Sequence, residues 1–302
     1  MNKAVRVLLL GAQGLLGRDL CLEKPSSIEL FPFDRDVDVT KKEQLKACLA
    51  SLKPNWVINA VGFTHVDLAE SKKKEALELN AQAPATLAEV CSQHGVALIH
   101  LSTDYVFSGK KQTLYTETDV PDPISYYGET KYLGEKEVQQ HAQHYILRTS
   151  SLYGLARPNH ASRVLEAIQT KKRARAASDL WCNPTYTADL AKWIYILLEK
   201  NPPFGIYNTV HKGCCSRLEF AEALCELSGL TSPFPIEPVI SRELQLPAPR
   251  PWKVCFDTQK WEHAISPLLF WKEGLKNYLK ACKSQRGKES GLVATRPDSF
   301  PL

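Results

Sequence analysis

The fold of this chain is decided by one stretch near its start, Ala4-Val5-Arg6-Val7-Leu8-Leu9-Leu10-Gly11-Ala12-Gln13-Gly14-Leu15-Leu16-Gly17. The residues before Gly11 are apolar except for Arg6, which predicts a buried β-strand. A glycine then recurs at every third position, and a helical pattern continues to about Leu22. Glycines at such a turn let the backbone approach a diphosphate, which then lies at the positive end of the helix. The stretch therefore predicts a dinucleotide-binding turn, with a plain strand-to-helix turn as the alternative.

Strand and helix patterns alternate through the first half of the chain. Further buried strands are predicted at residues 28–33, 56–62, 96–101 and 145–149, with a long helical pattern at residues 70–93. Such alternation is typical of an α/β fold with a doubly wound parallel sheet of the Rossmann type. We expect residues 1–150 to form the dinucleotide-binding domain.

The pattern loosens after Gly154, where helices are predicted at residues 161–171, 187–200, 217–228 and 268–282. We expect residues 151–282 to form mainly a smaller C-terminal α/β substrate-binding region, which can return one or more elements to the first domain. Residues 283–302 are polar and contain Gly, Pro and Ser, which predicts a disordered tail.

Composition and charge exclude several classes of partner. The chain has 302 residues, 44% of them hydrophobic, and its 38 basic and 33 acidic residues leave a net charge of +5. This mild excess, with a densest basic run at residues 171–175 that has no aromatic neighbours, argues against nucleic-acid binding. No apolar stretch is long enough to span a membrane, and the first one is too short for a signal peptide. The sequence therefore predicts a cytoplasmic protein with no nucleic-acid or membrane partner.

The cysteines and histidines do not indicate a metal site. Nine cysteines are present without a Cys-x-x-Cys pair, and eight histidines lack the spacing of metal ligands. We expect reduced cysteines with structural roles, and a redox pair at Cys214-Cys215 is the less favoured alternative.

The residues after the second predicted strand bear on the cofactor. Asp34 and Arg35 stand side by side where the adenosine ribose is normally bound. An acidic residue there favours the free hydroxyl of NAD, and an arginine favours the 2′-phosphate of NADP, so the preference stays open. Asp38 either lines the adenine or is a turn residue. Thr40 is predicted to cap the next helix, with Glu43 completing a capping box.

A second motif, Ser125-Tyr126-Tyr127-Gly128-Glu129-Thr130-Lys131, offers acid–base chemistry. On a helix, Tyr127 and Lys131 would lie on one face, one turn apart. The lysine charge is expected to lower the phenol pKa from its usual ~10 towards neutrality. Thr103 follows the strand at residues 96–101, at the sheet edge where ligands bind, and its hydroxyl can polarise a substrate carbonyl. These three residues form the predicted catalytic set.

Together these motifs resemble those of the extended short-chain dehydrogenase/reductases, and more narrowly the dTDP-4-dehydrorhamnose reductases. The resemblance covers about residues 4–280 and rests on the two motifs above and five further ones. These are Asn59-Ala60-Val61-Gly62 with Thr64, Val66, Asp67 and Glu70; Leu101-Ser102-Thr103-Asp104-Tyr105-Val106-Phe107; Leu147-Arg148-Thr149-Ser150; Pro184-Thr185-Tyr186 with Ala188-Asp189-Leu190; and Arg250-Pro251 with Phe256-Asp257-Thr258.

The resemblance implies a reductase that uses NADPH, with NADH as the alternative, and it allows for Mg²⁺ and for a homodimer. Tyr127 would protonate the C4 oxygen of a nucleotide-linked 4-keto-6-deoxy sugar, Thr103 would hydrogen-bond that oxygen, and Lys131 would hold the nicotinamide ribose. The implied cofactor contacts are Gly11, Gln13, Gly14, Leu15, Asp34, Arg35, Asp38, Val39, Asn59, Ala60, Val61, Tyr127 and Lys131. The implied substrate contacts are Thr64, Val66, Thr103, Asp104, Tyr105 and Ser151.

Two departures from the family's pattern fall on substrate recognition. The reductases often carry a tryptophan where this chain has Ser151, and smaller polar residues where it has Trp252-Lys253. The expected substrate is dTDP-4-dehydro-L-rhamnose, with related nucleotide-linked keto sugars as alternatives. An NADP-binding regulatory subunit of methionine adenosyltransferase is a further alternative. Dehydratase chemistry is disfavoured because Tyr105 stands where a dehydratase would carry a glutamate.

Overall fold

The computed structural model describes residues 4–170, 173–230 and 233–293. Its strands are β1 (Val5–Leu10), β2 (Ile28–Phe33), β3 (Trp56–Asn59), β4 (Ala97–Thr103), β5 (His144–Thr149), β6 (Leu152–Tyr153), β7 (Ala174–Ala177), β8 (Trp181–Cys182), β9 (Thr185–Tyr186), β10 (Gly205–Asn208), β11 (Cys215–Ser216) and β12 (Ile236–Val239). Its helices are α1 (Leu15–Leu22), α2 (Lys42–Leu52), α3 (Val66–Ala69), α4 (Lys73–Leu77), α5 (Ala83–His94), α6 (Tyr126–Val138), α7 (His160–Gln169), α8 (Thr187–Lys200), α9 (Arg217–Leu227), α10 (Gln259–Ala264) and α11 (Trp271–Val293).

The central sheet contains six parallel strands in the order β10-β5-β4-β3-β1-β2. Side chains of β1 alternate between two buried clusters, so that Val7 faces one cluster and Leu8 faces the other. Residues of α1 and α8 complete the first cluster, and residues of α2 and α5 complete the second. Because both faces are covered, β1 is a nearly continuous apolar run. The predicted fold class, a doubly wound Rossmann-type sheet with a smaller C-terminal region, is confirmed.

The C-terminal half contributes to both parts of the molecule. β10 pairs in parallel with β5 at the edge of the sheet, and α8 packs against α1. The helices α7, α9 and α11 enclose a third buried cluster, which includes Tyr153, Phe220 and Leu275. β7 and β12 pair in parallel beside it. The sequence after β5 therefore returns one helix and one strand to the sheet domain and builds a separate small core with the rest.

Helix α6 carries the predicted catalytic motif and lies very close to its neighbours. Ser125 caps it, because the Ser125 Oγ accepts a hydrogen bond from the backbone N–H of Gly128 at 3.2 Å. A Cβ at Gly128 would lie 2.1 Å from the carbonyl oxygen of Tyr105, and one at Gly134 would lie 2.1 Å from that of Asn80. Gly128 therefore lets α6 pack directly on the turn after β4, and Gly134 lets it pack directly on the backbone at Asn80.

A π-helical turn, Glu78–Gln82, lies between α4 and α5 and holds the loop after β3. Asn80 in this turn is fully buried. Its Oδ1 accepts a hydrogen bond from the N–H of Phe63 at 2.8 Å, and its Nδ2 donates to Thr130 Oγ1 on α6 at 3.1 Å. Pro84 lies in the first turn of α5, where its missing N–H is tolerated, so it does not interrupt the helix. Such π turns often mark functional sites.

Two helix ends differ from the predictions. The N-cap of α2 is Lys41, with no side-chain cap, because the Thr40 hydroxyl donates to Asp38 Oδ1 at 2.7 Å instead; the predicted capping box is wrong. Helix α11 continues to Val293, past residue 282 where the helix was predicted to end. Residues 294–302 lie outside the described residues, as do positions 171 and 172.

Within the described ranges, neither α11 nor any other helix has the length and apolar character of a membrane span.

A disulfide ties together two segments of the C-terminal region. Cys214 is bonded to Cys255, which lies 41 residues later in the chain. The expectation of reduced cysteines is therefore wrong for this pair. Cys215, which the sequence offered as an alternative partner of Cys214, is a buried free thiol.

Candidate active site

The predicted catalytic side chains meet where β4 ends against α6. Thr103 is the last residue of β4, and Tyr127 and Lys131 lie one turn apart on α6; all three are buried. The Thr103 hydroxyl donates to Asp104 Oδ1 at 3.0 Å and shares a hydrogen bond with the Tyr127 phenol. The Tyr105 ring packs edge-on against Tyr127, with 5.4 Å between the ring centroids. The structure thus brings the three predicted residues into one buried group.

The environment of Tyr127 differs from the prediction. Burial raises the pKa of the Tyr127 phenol above its ordinary value of 10.0, and the hydrogen bond with Thr103 offsets part of this rise. The predicted lowering by Lys131 is wrong for the chain alone, since Lys131 is not among the groups that shift this pKa. Tyr127 is therefore a neutral phenol at physiological pH, which is the form that can donate a proton.

Lys131 is held by the backbone of β4 and not by the phenol. Its Nζ donates to the carbonyl oxygen of Leu101 at 2.5 Å and lies 3.4 Å from Nε2 of His100. Burial lowers the pKa of Lys131 from 10.5 to about 8, and the charge of Glu135 offsets part of this fall. Burial also lowers the pKa of His100 well below its ordinary value, so that its ring is neutral.

The lowered pKa of Lys131 predicts a pH dependence of stability. Between pH 8 and about pH 10 the unfolded chain keeps the lysine proton while the native protein loses it, so the free energy of unfolding rises with pH. Below pH 8 the penalty for the buried ammonium is fully present. Relative to a Lys131→Met variant, the wild type should gain about 2–3 kcal/mol between pH 7 and pH 10, measured by urea unfolding. A difference that stays constant over this range would contradict the assignment.

His100 links the loop after β3 to Lys131, and this histidine was not predicted from the sequence as part of the site. His100 pairs in register with Asn59 of the neighbouring strand, and its Nδ1 lies 3.2 Å from Asn59 Nδ2. The Asn59 Oδ1 in turn accepts a hydrogen bond from the N–H of Val61 at 3.1 Å. A chain of polar contacts therefore runs from the predicted cofactor loop to Lys131. The available sequence signal was one histidine within an otherwise apolar strand.

The predicted glycine turn forms an open cradle at the carboxyl end of β1. Gly11 has a φ of +87°, and a Cβ there would lie 2.9 Å from the carbonyl carbon of Ala60, so the turn touches the loop after β3. Helix α1 begins after Gly14 with no side-chain cap and no acidic residue in its first turn. The Gln13 N–H donates to Asp34 Oδ1 at 3.3 Å, which brings the end of β2 to the same place. An uncapped helix start beside a glycine cradle fits the diphosphate of a dinucleotide.

The other predicted cofactor residues around this cradle differ in exposure. Leu15, the first residue of α1, is half-buried, and Arg35 is exposed. Val39 belongs to the second buried cluster. Asp38 Oδ1 accepts hydrogen bonds from the hydroxyl and the N–H of Thr40, at 2.7 and 2.9 Å, and these lower the pKa of Asp38. In the chain alone Asp38 is therefore a turn residue, as one of the two interpretations expected.

A cavity of about 160 Å³ opens next to Asp104 and Tyr105, which contact Thr103 and Tyr127 respectively. Asp104, Tyr105 and Ser151, three of the predicted substrate contacts, line it. Thr64 is exposed and does not line it, whereas Val66 packs in the buried cluster that contains Tyr127. The other walls come from residues that the sequence did not assign to the substrate site, namely Leu180, Trp181, Cys182, Arg217, Arg250 and Pro251.

Buried Asp104 fixes one wall of this cavity. Its Oδ1 accepts the hydrogen bond from Thr103, and its Oδ2 accepts one from Ser150 Oγ at 2.6 Å. Burial raises the pKa of Asp104 above its ordinary value, and these hydrogen bonds offset part of the rise. Asp104 therefore orients the Thr103 hydroxyl and ties the end of β4 to the end of β5.

Arg250 closes another wall through an ion pair. Its Nη2 lies 2.8 Å from Asp67 Oδ2, and its Nη1 donates to the carbonyl oxygen of Ala248 at 2.7 Å. Burial would raise the pKa of Asp67, but the hydrogen bond and charge of Arg250 hold it below its ordinary value. Both residues belong to motifs quoted above, yet their pairing across the chain is visible only in the fold.

Two larger hollows, of about 620 and 740 Å³, lie at the opposite end of the sheet. The first residues of four strands, Val5, Ile28, Trp56 and Ala97, help to line them. Ligands of open α/β sheets bind outside the carboxyl ends of the strands. The smaller cavity beside Tyr127 is therefore the candidate active site.

A buried tyrosine at the carboxyl edge of a parallel Rossmann-type sheet, with a lysine one turn away, is the arrangement typical of the short-chain dehydrogenase/reductase class. Comparison with known proteins narrows this class. The chain belongs to the family described as the RmlD substrate binding domain, whose family model matches residues 5–284. The predicted family is thereby confirmed.

Curated relatives and solved structures agree with this family. The chain is 34% identical to the spore coat polysaccharide biosynthesis protein SpsK of Bacillus subtilis, over 91% of this chain and 97% of the relative. It is 32% identical to the dTDP-4-dehydrorhamnose reductase of Streptomyces griseus, over 94% and 96% of the two chains. A crystal structure of dTDP-4-dehydrorhamnose reductase from Bacillus anthracis in complex with NADP superposes with a TM-score of 0.87 at 30% identity, covering 92% of this chain and 99% of that one.

Proposed function

We propose that this chain uses NADPH to reduce the C4 keto group of a nucleotide-linked 6-deoxy sugar, converting dTDP-4-dehydro-L-rhamnose to dTDP-L-rhamnose. The observation that carries this proposal is the neutral, buried Tyr127 phenol, hydrogen-bonded with Thr103 beside the cavity of about 160 Å³. The names of the Streptomyces griseus and Bacillus anthracis relatives support the same reaction.

Tyr127 is the proton donor of the proposed reaction. As negative charge develops on the C4 oxygen, the phenol transfers its proton to that oxygen, and Thr103 hydrogen-bonds it. Because the Thr103 hydroxyl donates to Asp104 in the chain alone, substrate binding redirects its proton to the sugar. Proton donation of this kind is worth about 10²–10⁴ in rate.

The cofactor site is built from the glycine cradle, the loop after β3 and Lys131. Bound NADPH supplies the hydride that adds to C4. The uncapped start of α1 binds the diphosphate, and the ammonium of Lys131 holds the nicotinamide ribose. Exposed Arg35 can reach a 2′-phosphate, whereas Asp34 is engaged by the Gln13 N–H, and this favours NADPH over NADH. Mg²⁺ finds no support, since the described residues offer no group of three or more His, Cys, Asp or Glu side chains that could hold a metal.

The choice of sugar depends on the cavity wall where the chain departs from its family. Ser151 adopts a left-handed backbone conformation, with a φ of +42°, and lines the cavity without an aromatic ring. Trp181 lines the same cavity and supplies an aromatic surface. Trp252, the second departure, is 69% exposed and is not part of this wall.

A related keto sugar is the second candidate substrate. Ser151, which stands where the family often has a tryptophan, supports this candidate because it lines the cavity. The chain is 30% identical to the dTDP-4-keto-6-deoxy-D-glucose reductase of Streptomyces niveus, over 89% of this chain and 95% of the relative. A reductase with a reshaped sugar wall could accept that epimer. Two further predictions stay untested: that the chain forms a homodimer, and the alternative that it is a regulatory subunit of methionine adenosyltransferase.

One assay tests the proposal. Purified protein is mixed with NADPH and enzymatically prepared dTDP-4-dehydro-L-rhamnose, and consumption of the reduced nicotinamide is followed by absorbance. A parallel reaction contains dTDP-4-keto-6-deoxy-D-glucose, which distinguishes the two candidate sugars. The proposal fails if neither sugar is reduced, and co-purification with a methionine adenosyltransferase would then favour the regulatory alternative.

A further inference from the structure

Two arginines line the catalytic cavity, and they differ in their partners. Arg250 forms an ion pair with Asp67, with 2.8 Å between Nη2 and Oδ2. Arg217, the first residue of α9, is half-buried. Within the described part of the chain, no carboxylate or carbonyl group accepts a hydrogen bond from its guanidinium. A cation in such a setting favours an anionic ligand, because partial burial removes water and no carboxylate is hydrogen-bonded to it.

Two carboxylates lie near enough to interact with the charge of Arg217, but neither is paired with it: Asp67 is paired with Arg250, and Asp104 is engaged by hydrogen bonds. Both of its carboxylate oxygens already accept hydrogen bonds, from Thr103 and Ser150. Burial raises the pKa of Asp104, and the charge of Arg217 lowers it by a smaller amount. The guanidinium is therefore available to a ligand that enters beside Tyr105.

Arg217 also lines a second hollow, of about 390 Å³, on its other side. Three exposed arginines, Arg163, Arg173 and Arg175, line this hollow together with the single carboxylate of Glu166. Arg175 lies 3.7 Å from Glu237, so part of its charge is balanced. The hollow is nevertheless basic, and it adjoins the catalytic cavity at Arg217.

The sizes of the two spaces suggest how a ligand divides between them. Sites for small molecules usually measure about 300–1,000 Å³, and the catalytic cavity of about 160 Å³ falls below that range. Only the two spaces together have room for a sugar, two phosphates and a nucleoside. The reacting sugar must lie beside Tyr127, so the phosphates that follow it would lie near Arg217.

We propose that Arg217 binds the diphosphate of the nucleotide-linked substrate, and that the arginine-lined hollow behind it accommodates the nucleoside. This inference rests on the proposed function for the identity of the sugar, but not for the binding of the diphosphate. The planar guanidinium can form paired hydrogen bonds with phosphate oxygens, which a lysine ammonium cannot reproduce.

The test measures binding of dTDP, which contains the diphosphate and nucleoside but no reducible sugar. Calorimetric titrations use protein saturated with NADP⁺, so that dTDP does not enter the dinucleotide site. Arg217→Gln should weaken dTDP binding about 10- to 100-fold, and Arg217→Lys should recover only part of this loss. The matched control is Arg6→Gln, which removes the same charge from an ion pair with Glu29 at the far end of the sheet. This control should bind dTDP like the wild type.

Further readouts separate this inference from the proposed reaction. Binding of NADP⁺ and of uncharged thymidine should be unchanged in Arg217→Gln, and KM for the keto sugar should rise with little change in kcat. Equal dTDP affinity in Arg217→Gln and wild type would overturn the inference, even if the keto sugar is reduced. Arg217-dependent dTDP binding without reduction of any keto sugar would sustain the inference and defeat the proposed reaction. Failure of the wild type to bind dTDP would also overturn it.

Discussion

Tyr127→Phe is expected to lower kcat for the keto sugar by about 10²- to 10⁴-fold while leaving NADPH affinity nearly unchanged. The substitution removes one hydroxyl and keeps the ring that packs against Tyr105 at 5.4 Å. Because the phenol is buried and its pKa is raised, it is neutral in the wild type, and no charge is lost. The effect should therefore fall on proton transfer and not on the fold or the cofactor.

The neighbouring residue supplies a matched control for this prediction. Tyr126 is also a tyrosine at the start of α6, but its ring centroid lies 5.0 Å from the ammonium of Lys73, and it is only half-buried whereas Tyr127 is buried. Tyr126→Phe should retain nearly full activity. Steady-state kinetics gives kcat and KM for both variants, and quenching of tryptophan fluorescence gives the NADPH dissociation constant. Similar activity in the two variants, or a large loss of NADPH affinity in Tyr127→Phe, would contradict the role of proton donor.

The residues around Tyr127 show what local sequence patterns can predict. The apolar run before Gly11, the glycine turn and the Tyr-x-x-x-Lys spacing are short-range signals, and they predicted the strand, the cradle and the shared helix face correctly. The phenol pKa was predicted in the wrong direction because burial depends on the packing of α6 against the turn after β4. Gly128 permits that packing, and no local pattern states what it contacts.

The cavity walls were harder to predict for a related reason. Trp181 and Arg217 lie in segments whose strands are two residues long, so periodicity carries almost no information there. Their neighbours at the site, such as Tyr105, are far away in the sequence. Only the pairing of β8 with β11 and the position of α9 place them beside the catalytic group. The same holds for the disulfide between Cys214 and Cys255, because spacing alone did not predict it.

Glu135→Ala is expected to lower the free energy of unfolding by about 3–5 kcal/mol. Glu135 forms a two-pronged ion pair with Arg148 of β5, with Oε1 to Nε at 3.0 Å and Oε2 to Nη2 at 2.8 Å. The side chains of Glu135 and Arg148 are 0% and 2% exposed, so the substitution leaves a buried guanidinium without its counter-charge. The matched control is Glu75→Ala, whose ion pair with Lys72 is exposed; it should cost less than about 1 kcal/mol.

Urea unfolding of the two variants measures this difference, and equal losses would contradict the expected contribution of the buried pair. Replacing both partners by apolar residues, as in Glu135→Leu with Arg148→Met, should recover much of the stability, because no uncompensated charge then stays buried.

The single substitution Glu135→Ala also has a functional consequence. Glu135 raises the pKa of Lys131 one turn away, so its removal should lower that pKa further and extend the pH window of the lysine to below pH 8. Tyr127, Lys131 and Glu135 follow one another at four-residue intervals on α6. A single face of the helix therefore carries the proposed proton donor, the lysine proposed to bind the ribose, and the ion pair that anchors both to the sheet.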